Sequence, residues 1–275
     1  MGLARQPNYR ERQLGRTLRR LREQSRMSQE ESAGRLRFSP SKMSRIEQGQ
    51  ARNYHEFLAM LDLYGVLTSE YEPYVRLFDR AQERGWWSVY GIADRGFVAM
   101  EAEAAKISSY QLGFVPGLLQ TEKYMRATYA AARHPWRGKR LETEVEVRLR
   151  RTKRLHADPV LDLHAVLEES VVRRPTCDRA QLEHILSTAV LPNVTLQVLP
   201  QAVGSHDGLY SSFLVVDFPE ADEASIAYLE YGFGTLEMER EEQVRLARLT
   251  FEHLAGLALD EARSVELIKQ VIAGT

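Results

Sequence analysis

Ser41, Ser44, Arg45 and Gln48 stand at offsets 0, 3, 4 and 7 within the short stretch SPSKMSRIEQG (39–49). On a helix these offsets fall within about a 100° arc, so the four side chains form one narrow strip of hydrogen-bonding groups. Met43 and Ile46 fall on the other side, facing a core. Such a strip, with Lys42 beside it, suits the base edges of a duplex major groove, which offer donors and acceptors at a depth a helix can reach. Basic residues around it would hold the phosphates that fix the register.

Carboxylates offer a second chemistry, acid–base catalysis. Glu168 and Glu169 close a candidate strand and Glu230 lies in another. Acid–base work by paired carboxylates needs one of them held neutral or a metal between them. No His/Cys/Asp cluster has ligand spacing, GFG (232–234) lacks the third glycine of a dinucleotide loop, and there is no phosphate-cradling or nucleophile motif. The expectation is therefore no enzyme, no metal and no cofactor, with the carboxylates as acidic strand ends. His206, in the turn GSHDG, could serve the turn or hydrogen-bond a ligand near a sheet edge. Trp86, Trp87, Tyr110, Tyr210, Tyr228 and Tyr231 add aromatic surface with polar tips, the kind enriched where proteins hold partners or small ligands. The run RLRRTKR (148–154) has five basic residues in seven. It is expected to be a solvated helix face with Val145 and Leu149 turned inward, the alternative being an auxiliary phosphate track.

The elements that must position these residues follow from period and punctuation. Leu14, Leu18 and Leu21 repeat at helical spacing over 13–26. Ser28 with Glu31 predicts a capping-box start for a second helix to about Leu36. Ser39–Pro40 opens the third helix and Gly49 ends it. Phe57, Leu61 and Tyr64 mark a fourth helix, and Tyr74, Leu77, Phe78 and Ala81 a fifth. Beyond ERGWWSVYGI the pattern predicts helices over 98–111, 118–133, 140–156, 178–189, 240–258 and 263–272. Strands are expected over 161–169, 194–200, 211–218 and 225–231. The domains are set at 1–83, all-helical, and 84–275, α+β with a small, about four-stranded sheet covered by helices.

Charge divides along the same line. The 275 residues carry a net −1, yet residues 1–53 hold 13 Lys/Arg against 5 Asp/Glu, a net of +8, leaving −9 for the remainder. A basic head on an acidic body suggests that one domain meets a polyanion. Cys177 stands alone and can form no intrachain disulfide, pointing to a reducing compartment. No apolar run has the roughly 18 residues of a membrane helix, so a cytoplasmic protein without membrane contact is expected.

LGRTLRRLREQSRMSQEESAGRLRFSPSKMSRIEQG closely resembles the XRE (Cro/repressor-type) helix-turn-helix domain, a lambda-repressor-like fold. The shared features are the Leu-rich first helix, SQEE opening the second and SRIEQG closing the third. The resemblance implies that Gln29 contacts phosphate and braces the reading helix. Pro40, Ser41 and Lys42 would face bases, and Ser44 and Arg45 would reach base edges or phosphate. Arg52 and Asn53 would touch the backbone, and Glu47 would be structural. Pro40 departs from the Gln or Thr common there in the family. VPGLLQTEKYMRA (115–127), VTLQVLPQAVGSHDGLYSSFLVVDF (194–218) and YLEYG (228–232) resemble the long C-terminal domain of actinobacterial, antitoxin-like XRE regulators. The joint expectation is a sequence-specific transcriptional regulator that binds operator DNA as a homodimer, its body serving dimerisation and sensing of a small-molecule effector. The alternative is an antitoxin-like protein that holds a small protein partner encoded near by and autoregulates its operon.

Overall fold

The computed structural model describes residues 7–83, 85–90, 96–219 and 223–274. The chain divides into two compact units, Met1–Met100 and Glu101–Thr275.

The first unit carries α1 (Tyr9–Gln24), α2 (Gln29–Arg35), α3 (Pro40–Arg45), α4 (Tyr54–Leu63) and α5 (Tyr71–Gln82). Helix α1 starts earlier than its leucine period, because Asn8 and Glu11 build a full capping box: each accepts the other's backbone N–H, at 2.9 and 2.8 Å. The box expected at Ser28 is only half made. Ser28 Oγ accepts from the Glu31 N–H at 3.0 Å, while the Glu31 carboxylate instead takes Arg35 at 2.7 Å. Ser39 caps α3, with Pro40 in its first turn. Leu14, Leu18, Leu21, Met43, Ile46, Phe57, Leu61 and Phe78 share one core, in which Phe57 stacks on Phe78 at 4.7 Å.

Helix α3 runs on into a widened turn, Ile46–Gln50, closed by Gly49 at φ 102°. There α1 meets it backbone to backbone. A Cβ on Gly15 would sit 2.5 Å from Glu47 O and 2.6 Å from Gly49 N. No side chain is interposed at this crossing, which fixes how deep α3 seats against α1.

The second unit is built on a mixed sheet of six strands. They are β1 (Lys106–Gln111), β2 (Asp162–Glu168), β3 (Val194–Leu199), β4 (Phe213–Asp217), β5 (Ile226–Tyr231) and β6 (Gly234–Met238), in the order β3-β2-β1-β4-β5-β6. β1, β2 and β3 run parallel; β4 joins β1 antiparallel and begins an antiparallel set with β5 and β6. The expectation of about four strands is thus corrected to six. β1 lay hidden in the tail of the helix expected over 98–111, which ends as α6 (Gly96–Glu103). β6 follows β5 after only two residues, Gly232 and Phe233. The parallel crossovers carry α7 (Glu122–Ala130) and α8 (Gly138–Thr152), then α9 (Glu169–Arg173) and α10 (Arg179–Thr188). The chain then forms α11 (Glu241–Leu257) and α12 (Glu261–Ala273). Val244, Phe251 and Leu254 of α11 pack with Tyr110, Val166, Phe213, Val215 and Ala227 of the sheet. Among the described residues, no helix is long and apolar enough to cross a membrane.

The crossing at Gly15 yields a stability prediction. Gly15→Ala should destabilise the protein by about 1–3 kcal/mol, because the atoms in its way are backbone and cannot step aside. Gly34→Ala, whose Cβ would meet nothing within 4 Å, should be neutral or stabilising by up to about 1 kcal/mol. Denaturant melts of the two variants check the contrast.

Candidate nucleic-acid interface

The polar strip is present and faces outward. Pro40, Ser41, Arg45 and Gln48 are exposed and Ser44 half-buried, while Met43 and Ile46 are buried beneath them. The strip is ordered along its length: Arg45 Nε donates to Ser41 O at 3.3 Å and Gln48 Nε2 to Ser44 Oγ at 3.1 Å. Among the described residues Arg45 has no carboxylate within 4.0 Å.

What aims the strip is a buried ion pair. Glu47 and Arg22 are 5% and 9% exposed at their side chains. Arg22 Nε and Nη2 donate to the two Glu47 oxygens at 2.6 and 3.1 Å, and Gln29 Nε2 adds a third bond at 3.0 Å. Arg22 Nη1 also donates to Met27 O at 2.8 Å. The hydrogen bond that Arg22 donates to Glu47 holds the guanidinium above its usual pKa, against the opposing effect of burial. Helices α1 and α2 therefore both grip the carboxylate that follows α3. Gln29, expected to contact phosphate and brace the reading helix, has its amide on Glu47.

The flanking cations are engaged. Lys42 Nζ lies 2.6 Å from Glu56 Oε1 and 4.3 Å over the Phe38 ring. Arg52 is paired with Glu11. Asn53 Oδ1 caps α4, accepting from the N–H groups of His55 and Glu56 at 3.0 and 3.2 Å. Lys42, Arg45, Ile46, Gln50, Arg52, Asn53 and Glu56 line a cleft of about 270 Å³ beside the strip. Glu56 was missed at the sequence level because nothing in the spacing ties α4 to Lys42.

In the second unit the aromatic candidates scatter. Tyr110 and His206 do converge, on a carboxylate first weighed for catalysis. Glu168 Oε1 accepts from Tyr110 OH at 2.7 Å and lies 3.0 Å from His206 Nε2. All three groups are buried, and His206 Nδ1 has no hydrogen-bond partner among the described residues. Burial and the Glu168 contact raise the Tyr110 pKa. Gly208 presses so closely on the Tyr110 ring that an added Cβ would lie 2.4 Å from Cζ. His206 thus holds its turn through a buried partner instead of meeting solvent. Tyr228 is buried in β5, and Tyr210 and Tyr231 are 90% and 54% exposed. In the first unit Trp87 is buried and Trp86 packs edge-on against it at 5.8 Å. Glu169 opens α9 and pairs with Arg173 at 2.6 Å, and Glu230 is exposed on β5.

Residues 94–270 match the family described as Domain of unknown function (DUF5753). The chain belongs to the DUF5753 family. Residues 13–72 match the family described as Helix-turn-helix domain, which supports a DNA-binding regulator. No curated protein and no solved structure matches the chain. In this DUF5753 protein the helix-turn-helix match encloses α2, α3, the strip, Arg22 and Glu47. Tyr110, Glu168 and His206 all fall within the DUF5753 match.

The ion pair generates the second prediction. Arg22→Ala leaves Glu47 charged and buried without its partner, and should cost about 3–5 kcal/mol. The double change Arg22→Met with Glu47→Leu should cost much less, since no uncompensated charge remains. Equilibrium unfolding of both variants measures the difference; equal losses would show that the pair does not bind these helices together.

Proposed function

We propose that this DUF5753 protein is a sequence-specific DNA-binding transcriptional regulator and not an enzyme. The observation that carries the reading is Arg45. It stands on an exposed strip of hydrogen-bonding side chains with no carboxylate within 4.0 Å among the described residues, on a helix that a buried ion pair holds against α1 and α2. A guanidinium so placed offers the bidentate fork that pairs with guanine O6 and N7, with Ser41, Ser44 and Gln48 able to meet neighbouring base edges. Lys42 and Arg52 take phosphate in this reading. Their pairs with Glu56 and Glu11 are partly exposed on the basic side, at 36% and 46%, so an incoming phosphate can replace the carboxylate.

One recognition helix covers few base pairs, so the operator is read by a homodimer on a pseudo-palindrome. The DUF5753 unit supplies dimerisation and sensing. Its outermost strand, β6, supports this, with Leu236 and the neighbouring Phe233 exposed at 48% and 97%.

The test is fluorescence anisotropy on a duplex selected by the protein, repeated across salt concentrations. Arg45→Ala should weaken specific binding by about 1–3 kcal/mol and relax preference at one base position. Glu56→Gln should strengthen binding to all sequences and steepen the salt dependence, because it releases Lys42 for phosphate. Undiminished operator binding by Arg45→Ala would refute the reading.

A further inference from the structure

The basic run 148–154 is not the solvated face its composition implies, and Leu149, expected inside, is 36% exposed while Val147 is buried. Three of its five cations turn inward. Arg151 makes a bidentate pair with Glu101 at 2.6 and 2.8 Å. Arg154 Nη2 donates to Ala104 O at 2.6 Å. Arg148 donates Nη1 to the neutral Gln120 Oε1 at 2.9 Å and lies 5.0 Å over the Tyr129 ring.

Arg148 lacks what Arg151 has. No carboxylate lies within 4.0 Å of it among the described residues. Burial depresses its pKa, and Glu144 and Glu230 act on it only from a distance. The tyrosine beneath it is also incomplete: Tyr129 OH is buried and has no hydrogen-bond partner among the described residues. The Tyr129 ring is held in place, stacked on Trp136 at 4.7 Å and 12°, with Arg140 covering Trp136 at 4.1 Å.

A part-buried cation without a counter-charge and a buried hydroxyl without a partner each cost free energy. Here the two are neighbours, and a single kind of group answers both. An oxyanion takes the guanidinium fork with one pair of oxygens and accepts from the phenol with another lone pair. We propose that Arg148 and Tyr129 form a receptor for the carboxylate or phosphate group of a small molecule. A duplex backbone would meet the exposed Arg150 and Lys153 first, which favours a small ligand at the recessed Arg148.

The receptor does not depend on the DNA-binding reading, and its test is made on the full chain without DNA. Parent, Arg148→Met and Tyr129→Phe are melted in sodium chloride, sodium phosphate and sodium benzoate at matched ionic strength. Phosphate or benzoate should raise the parent Tm above its value in chloride, and the more effective salt tells phosphate from carboxylate. Arg148→Met should abolish the rise, which separates binding from the general stabilising effect of phosphate salts. Tyr129→Phe should weaken the response about tenfold, the size of one hydrogen bond to a charged group. In chloride Tyr129→Phe should not melt below the parent, because it removes a buried hydroxyl with no partner among the described residues. Arg148→Met should lose some stability, because it leaves the buried Gln120 Oε1 without its donor. Three results overturn the proposal: equal parent melting in all three salts, a salt response retained by Arg148→Met, or Tyr129→Phe melting below the parent in chloride as a bracing hydroxyl requires. Weaker binding of Arg148→Met to a random duplex, with no response to either small anion, would assign the cation to nucleic-acid phosphate and overturn it equally.

Discussion

Glu47 is the group on which the helical unit turns. Removing a carboxylate and a guanidinium from water costs several kcal/mol each, recovered only with good geometry and further hydrogen bonds. Both conditions hold: Arg22 forks onto the two oxygens, Gln29 adds an amide, and Met27 O accepts from the third Arg22 nitrogen. The arrangement needs α1 and the Ile46–Gln50 turn to touch through their backbones, and Gly15 permits it. Helix α3 has only six residues and cannot hold its own shape by local bonds. Its conformation and its aim are tertiary properties, set by a buried carboxylate.

The DUF5753 unit uses buried polar groups in the same way, with more neutral partners. Glu168, at the end of β2, ties Tyr110 of β1 to His206 of the loop before β4. Gln181 of α10 accepts from the Thr121 N–H at 2.7 Å and donates to Leu119 O at 2.6 Å, joining the two parallel crossovers. Gln197 of β3 donates to Ala255 O and Leu259 O at 3.2 and 3.0 Å, fastening the end of α11. Each glutamine bond satisfies a backbone N–H or C=O that would otherwise be left unpaired. Shape in this unit is specified by amides and one carboxylate as much as by the apolar core.

Legibility in the sequence tracked the range of the interactions. Caps and periods are local, so Ser39–Pro40, Gly49 and the face bearing Ser41, Ser44, Arg45 and Gln48 could be read directly. Pairings between distant segments left no local mark, and Arg22–Glu47, Arg52–Glu11, Lys42–Glu56 and Glu168–His206 were all invisible to spacing. β1 was lost for a related reason. KISSYQ lies between two strands with Ser108 and Ser109 both buried, so it shows neither alternation nor an apolar run. β6 is short and exposed over Gly234–Leu236, which erases the alternation that marks a half-buried strand.

Counting charge is misleading for the same reason. The +8 of residues 1–53 implies a broad attraction to phosphate, yet much of it is committed within the unit. Arg22, Arg52, Lys42, Arg35 and Arg19 face Glu47, Glu11, Glu56, Glu31 and Glu23. Arg26, Arg37 and Arg45 are the exposed cations of this segment that have no acidic partner among the described residues. Sequence-independent affinity scales with the number of phosphates neutralised. On the regulatory reading, phosphate must displace Glu56 and Glu11 before Lys42 and Arg52 count, so the head holds random duplex less tightly than its net charge implies. Its affinity must come from base-edge contacts along the strip and from a second head on the same operator, which multiplies binding without new contacts.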